Sequence, residues 1–136
     1  MFFFKKTQYR RFTKSLGEAL KVVMIVEENK CLRELYRLAL NNQGYRTCTY
    51  SSGGEALKFL NSNSIDLIIL DMKLDDNSCF SVLEKLLIGQ ENFKIVLTSS
   101  NNIVRYNEIT WLADAFLEES ADLSEMVQTV NNLLSA

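Results

Sequence analysis

The stretch "SIDLIILDMKLDD", residues 64–76, runs through apolar residues to Asp71, and two more acids follow four and five positions later. Taking a carboxylate out of water without a partner is costly, so an aspartate ending a buried strand needs a reason. Other polar groups stand at the ends of short apolar runs. They are Glu27 and Glu28 after "KVVMIV", Thr98 in "FKIVLTS", and Glu118 or Glu119 after "ADAFL". Carboxylates gathered beside a hydroxyl can hold a metal ion through oxygen, as a small hydrolase or phosphotransferase requires. Other catalytic engines are missing from the sequence, which has no histidine, no Gly-x-Ser-x-Gly elbow and no P-loop. Each residue also has a purely structural reading. Asp71 would then face water or cap the next loop, Glu27 and Glu28 would be a solvated pair, and Thr98 a β-branched strand residue. Asp75 and Asp76 read as a solvated loop.

The elements that would carry these groups alternate. Short runs over 21–27, 45–50, 65–71, 93–99 and 113–118 read as strands, the first a β-branched run as expected for a strand buried on both faces. Between them, Leu32, Leu35, Tyr36, Ala39 and Leu40 recur at helical spacing over 29–44, with Asn29 as N-cap and Gly44 as stop. Ser52 with Glu55 resembles a capping box opening a helix through Ala56, Leu57, Phe59 and Leu60. A helix over 79–89 carries Phe80, Leu83, Leu86 and Leu87, and another is expected over 101–110. Asp122 with Glu125 caps the last, whose stripe is Leu123, Met126, Val127, Val130 and Leu134. Strand–helix alternation of this kind makes an α/β fold, a parallel sheet wrapped on both faces. Ligands bind such sheets outside the carboxyl ends of the strands, where Glu27, Asp71, Thr98 and Glu118 or Glu119 stand.

The 136 residues, 47% hydrophobic and 24% charged, suit one domain over 21–136 with a basic extension over 1–20. Residues 1–21 carry six Lys/Arg against one Glu, and residues 22–136 carry nine against sixteen acids. In the extension, Tyr9, Phe12, Leu16 and Leu20 follow a helical stripe among basic residues, with Gly17 interrupting it. Packing on a second subunit or a poorly ordered terminus is the preferred reading, with contact to an anionic membrane as the alternative. Cys31, Cys48 and Cys79 form no Cys-x-x-Cys pair and read as buried free thiols in a reducing cytoplasm. No apolar run approaches the ~18 residues of a membrane span.

Residues 21–136 resemble the receiver domains of bacterial response regulators. The acidic pair Glu27–Glu28, Asp71 closing the third strand, "LTS" with Thr98 closing the fourth, and "GYRTCTYSSGGEALKFL" carry the resemblance. It implies a flavodoxin-like, doubly wound five-stranded parallel sheet of order 2-1-3-4-5. It also implies Asp71 as phosphoacceptor and Thr98 as the hydroxyl that contacts the phosphoryl group and moves on activation. Phe116 matches the aromatic switch on the fifth strand, although an aromatic there is more often core than switch. Mg2+ would be held by Asp71, Glu28 and the backbone carbonyl of Lys73, with Glu27 acting through water.

This chain departs from the family pattern in several places. Two glutamates replace the usual aspartate pair. Glu119 stands where the family carries a lysine that clamps the phosphoryl group, and Leu74, Asp75 and Cys79 replace a Met-Pro-x-x-x-Gly loop. Two like charges ~4 Å apart at an effective dielectric of ~20 repel by about 4 kcal/mol, so an inward Glu119 would oppose phosphorylation. The expectation is a stand-alone, non-enzymatic cytoplasmic receiver in a phosphorelay, with phosphorylation of Asp71 weakened or lost. A histidine kinase, phosphotransfer protein or other signalling protein is the implied partner, without nucleic-acid binding, and a second copy of the chain is a further candidate as a homodimer. A phosphorylation-independent pseudo-receiver is the alternative. A small metal-dependent phosphotransferase or hydrolase is weaker, because "DMK" lacks a second aspartate two residues after the first.

Overall fold

The computed structural model describes residues 20–73, 78–90, 92–99, 112–119 and 122–135. The helix expected over 101–110, the extension before Leu20, and Asp75 and Asp76 lie outside them. The described elements are β1 (Val22–Val26), α1 (Lys30–Asn42), β2 (Arg46–Tyr50), α2 (Gly53–Leu60), β3 (Leu67–Asp71), α3 (Ser78–Gly89), β4 (Lys94–Ser99), β5 (Ala115–Glu118) and α4 (Leu123–Leu134). All neighbouring strands run parallel in the order β2-β1-β3-β4-β5. Every residue of β3 is buried, as a central strand covered on both faces must be.

Alternate side chains of the sheet feed two cores. Met24, Val26, Ile68 and Leu70 pack with α2 and α3 on one face. Val23, Ile25, Leu67 and Ile69 pack with α1 and α4 on the other. Side chains close the amino edge of the sheet. Asp66 accepts from the Val22 amide at 2.7 Å, Asp114 accepts from the Ile95 amide at 2.8 Å, and the Gln90 amide group pairs with both backbone groups of Ile65.

The ends of α1 follow the expected signals. Asn29 accepts from the Leu32 amide at 3.0 Å, and Gly44 takes φ 94°. The Gly44 amide donates to the Asn41 carbonyl and the Tyr45 amide to the Leu40 carbonyl, a Schellman closure with Tyr45 and Leu40 in one core. Asp122 caps α4 by accepting from the Glu125 amide at 2.9 Å. Ser52 stands at the N-cap of α2 without a side-chain capping bond, so the expected box does not form.

Three apolar positions differ from expectation. The buried stripe of α3 is Cys79, Val82, Leu83 and Leu86, which leaves Phe80 and Leu87 half-exposed. Residues seven apart share a helix face, and here that face turns outward. Leu35 is likewise exposed on α1. All three cysteines are free, but only Cys79 is buried. Cys48 is half-buried, and Cys31 faces out from the first turn of α1.

Candidate functional site

Parallel pairing delivers the polar strand ends to one place. Asp71 is the register partner of Thr98, and the Met72 amide extends the β3–β4 ladder to the Thr98 carbonyl at 3.0 Å. The Glu27 amide continues β1 onto the Tyr50 carbonyl, and the Glu119 amide continues β5 onto the Ser99 carbonyl. The result is an open cavity of about 250 Å³ lined by Glu27, Glu28, Asn29, Asp71, Lys73 and Glu119. Carboxylate oxygens of Glu27, Asp71 and Glu119 lie within 4.8 Å of one another.

Burial makes this cluster unusual. Glu27 and Asp71 are each 2% exposed and Thr98 is fully buried. Glu27 Oε2 accepts from the Asn29 amide at 2.9 Å, and Asp71 Oδ1 accepts from the Lys73 amide at 2.8 Å. Among the described residues, Glu27 Oε1 and Thr98 Oγ1 have no hydrogen-bond partner. A buried oxygen left this way costs about 1–3 kcal/mol. Desolvation pushes the Glu27 carboxyl up to about 7, the nearby Asp71 and Glu119 charges push in the same direction, and the Asn29 amide partly opposes them. As two anions, Glu27 and Asp71 repel. A proton or a cation between them converts the repulsion into a bond.

The same field reaches Tyr36 on α1. Burial pushes its phenol up to about 12, with the Glu27, Glu119 and Asp71 charges adding to the shift. Burial also holds the Cys79 thiol up at about 11, with a contribution from Asp71, which makes it a poor nucleophile near neutral pH.

The structure resolves the orientation of Glu119. The side chain turns into the cavity, where Lys73 Nζ lies 3.8 Å from its Oε2. Glu28 is exposed and lines the same cavity outside the three-carboxylate cluster. Phe116 on β5 is 40% exposed. Two contributors were not apparent from the motifs. The Lys73 side chain brings a cation to the cavity. Arg33, from the second turn of α1, donates to the backbone carbonyls of Glu27 at 2.7 Å and Glu28 at 3.2 Å. It thereby fixes the backbone that presents the acidic pair.

The donor set suits a divalent cation, because hard oxygen ligands converge on an edge that holds an orphaned carboxylate oxygen. A parallel five-stranded sheet of this order, with buried acids at the ends of β1 and β3 and a threonine at the end of β4, is a doubly wound α/β module with a polar site outside the carboxyl ends of its strands. A family model for the response regulator receiver domain matches residues 23–131, and the chain belongs to that family.

Among solved structures, it resembles the response regulator protein TrrA from Thermotoga maritima in complex with Mg2+ and BeF. The identity is 30%, the match covers 85% of this chain and all of that one, and the TM-score is 0.76. The same regulator in complex with the histidine kinase ThkA matches with a TM-score of 0.73. Among curated proteins, the transcriptional regulatory protein GlrR of Escherichia coli is 28% identical over 116 residues, 82% of this chain. Sporulation initiation phosphotransferase F of Bacillus subtilis is 26% identical over 78 residues, 57% of this chain. The chain spans 26% of the first relative's length and 63% of the second's. It is thus homologous to the receiver domains of two-component signalling, and receiver domains are signalling modules. Among the described residues, no helix is long and apolar enough to cross a membrane.

Proposed function

We propose that this receiver accepts a phosphoryl group on Asp71, with Glu119 making the modification weaker than in a site that carries a lysine there. The observation that carries the reading is the buried Asp71 beside the unpartnered Thr98 hydroxyl on the neighbouring strand. The Lys73 amide holds one Asp71 oxygen, which orients the other as the nucleophile. That oxygen attacks phosphorus while the bond to the donor breaks, and the electron pair leaves with the donor. Thr98 Oγ1 then donates to a phosphoryl oxygen, and the half-exposed Phe116 on β5 reports the change to a partner.

Glu27, Glu28, Asp71 and the Lys73 carbonyl would hold Mg2+, with Glu27 acting partly through water. The ion supplies screening of the phosphoryl charge during transfer. The donor would be a histidine kinase or a phosphotransfer protein in the cytoplasm, and the module would signal without being an enzyme itself. Residues 1–20 would form an extension separate from the receiver unit over 21–136.

The inward Glu119 gives a second reading specific support: an interaction module that works without phosphorylation. Incubation with acetyl phosphate and Mg2+ distinguishes the two. The first reading requires one added phosphoryl group, absent from Asp71→Asn. Failure to label at saturating donor favours the second.

A further inference from the structure

The receiver reading accounts for Glu27, Glu28, Asp71 and Thr98 but leaves Glu119 as nothing more than an obstacle. Its geometry argues otherwise. Glu118 stands on the opposite face of β5 and is exposed to water. Glu119 instead points inward at 22% side-chain exposure, with its carboxylate in the cluster formed with Glu27 and Asp71. A second observation points to a missing ligand. Among the described residues, Glu27 Oε1 is buried and unpartnered in the same cavity, and Thr98 Oγ1 is buried and unpartnered at the register position of Asp71.

Resting on the receiver reading of this edge, we propose that Glu119 is itself a ligand for the divalent cation. It joins Glu27 and Asp71 in a three-carboxylate site at the place where the family's pattern carries a lysine. Three anionic oxygens from three separate strand ends leave the site short of positive charge. Lys73 supplies part of it through a 3.8 Å pair with Glu119. The ammonium is half-exposed, so the pair is weak and a divalent ion displaces it readily. The cation would thus bind as a tighter and more independent event here than in a site with two or three acids and an opposing lysine, because affinity rises with ligand charge. Lys73 serves as the placeholder when the ion is gone.

The test is calorimetric titration of the full chain with MgCl2, comparing the wild type, Glu119→Gln and Glu118→Gln. Both variants remove one charge from adjacent residues, but only Glu119 faces the cluster. The expected result is a loss of about tenfold or more in Mg2+ affinity for Glu119→Gln, the scale on which metal sites respond to their shells. Glu118→Gln should stay within about twofold, as a screened surface charge does. Equal losses in the two variants, or unchanged or tighter binding by Glu119→Gln, overturn the proposal. An independent measurement needs no variant: the Glu119 side-chain carboxyl carbon resonance should shift on Mg2+ saturation, and a static resonance overturns the proposal as well. Asp71 labelling is scored separately. Unchanged Mg2+ affinity in Glu119→Gln with normal labelling removes this inference and leaves the receiver reading standing. A wild-type chain that binds no Mg2+ removes the inference together with the cation's part in that reading.

Discussion

Lys73, two residues past the end of β3, places its ammonium 3.8 Å from the carboxylate of Glu119 at the end of β5. The pair reverses the family's arrangement, since the cation comes from the β3 loop and the acid from the β5 end. Formally the cavity carries four carboxylates and one ammonium, from Glu27, Glu28, Asp71, Glu119 and Lys73. Its charge is therefore −3, one unit less negative than the acids alone would make it.

That arrangement fixes how phosphorylation should respond. At saturating Mg2+, Glu119→Lys should raise labelling by acetyl phosphate several-fold, because a repulsion becomes an attraction at the phosphoryl oxygens. Asp71→Asn should abolish labelling in both backgrounds. Intact-mass measurement of the phosphorylated fraction against time reads both effects. Equal labelling with and without the lysine would show that the Glu119 charge does not reach the phosphoryl position.

The raised Glu27 carboxyl sets a pH dependence. Its folded value of about 7 lies above the ordinary 4.5, so between those limits the folded chain binds more protons than the unfolded one. Stability from this group is fully present below about 4.5 and is lost as pH rises toward 7. Without divalent ions, urea unfolding should show the wild type losing about 1–3 kcal/mol relative to Glu27→Gln between pH 5 and pH 8. A parallel pH profile for the two proteins would refute the desolvated state of Glu27. Added Mg2+ should reverse the trend, because the ion takes the place of the proton.

Thr98 offers a trade between stability and response. Its hydroxyl is buried without a partner, so Thr98→Val replaces an unsatisfied polar atom with a methyl of similar shape. The unphosphorylated protein should gain about 1 kcal/mol by chemical denaturation. Binding of a beryllofluoride phosphoryl mimic, followed by backbone NMR, should weaken. A destabilised Thr98→Val would mean that the hydroxyl is satisfied in solution.

Much of this was legible from residue types. The run ending at Asp71 could only be a doubly covered strand, and Asn29, Gly44 and Asp122 mark helix ends through local chemistry alone. Ser52 carried an equally good local signal, yet its cap does not form. In α3 the spacing admitted two stripes, and packing on β3 selected the one with Val82 over the one with Phe80. The Lys73–Glu119 pair joins residues 46 apart that follow different strands, so no local pattern could announce it. The orientation of Glu119 did have a signal. Side chains alternate along β5, and Leu117 is buried while Phe116 and Glu118 are exposed, so Glu119 falls on the inner face. Arg33 had one too, three residues before the buried Tyr36 and therefore on the same helix face.

The extension over residues 1–20 can be tested for its bearing on this core. The buried apolar residues run from Val23 to Val130, and the Val22 amide is already satisfied by Asp66. Both faces of the sheet are covered by α1 to α4, so the described core closes without drawing on the extension. A chain beginning at Ala19 should therefore fold and keep its thermal midpoint within about 4 °C, the shift that ~1 kcal/mol produces in a domain of this size. The stripe of Tyr9, Phe12, Leu16 and Leu20 expected from the sequence would need cover, since clustered exposed aromatic and aliphatic groups promote association. If a second subunit provides it, light scattering at fixed concentration should show the full chain as a dimer and the shortened chain as a monomer. If an anionic bilayer provides it, the full chain should sediment with anionic vesicles at low salt and release as salt screens its basic residues. Loss of folding on truncation would contradict both outcomes and make the extension part of the domain's own core.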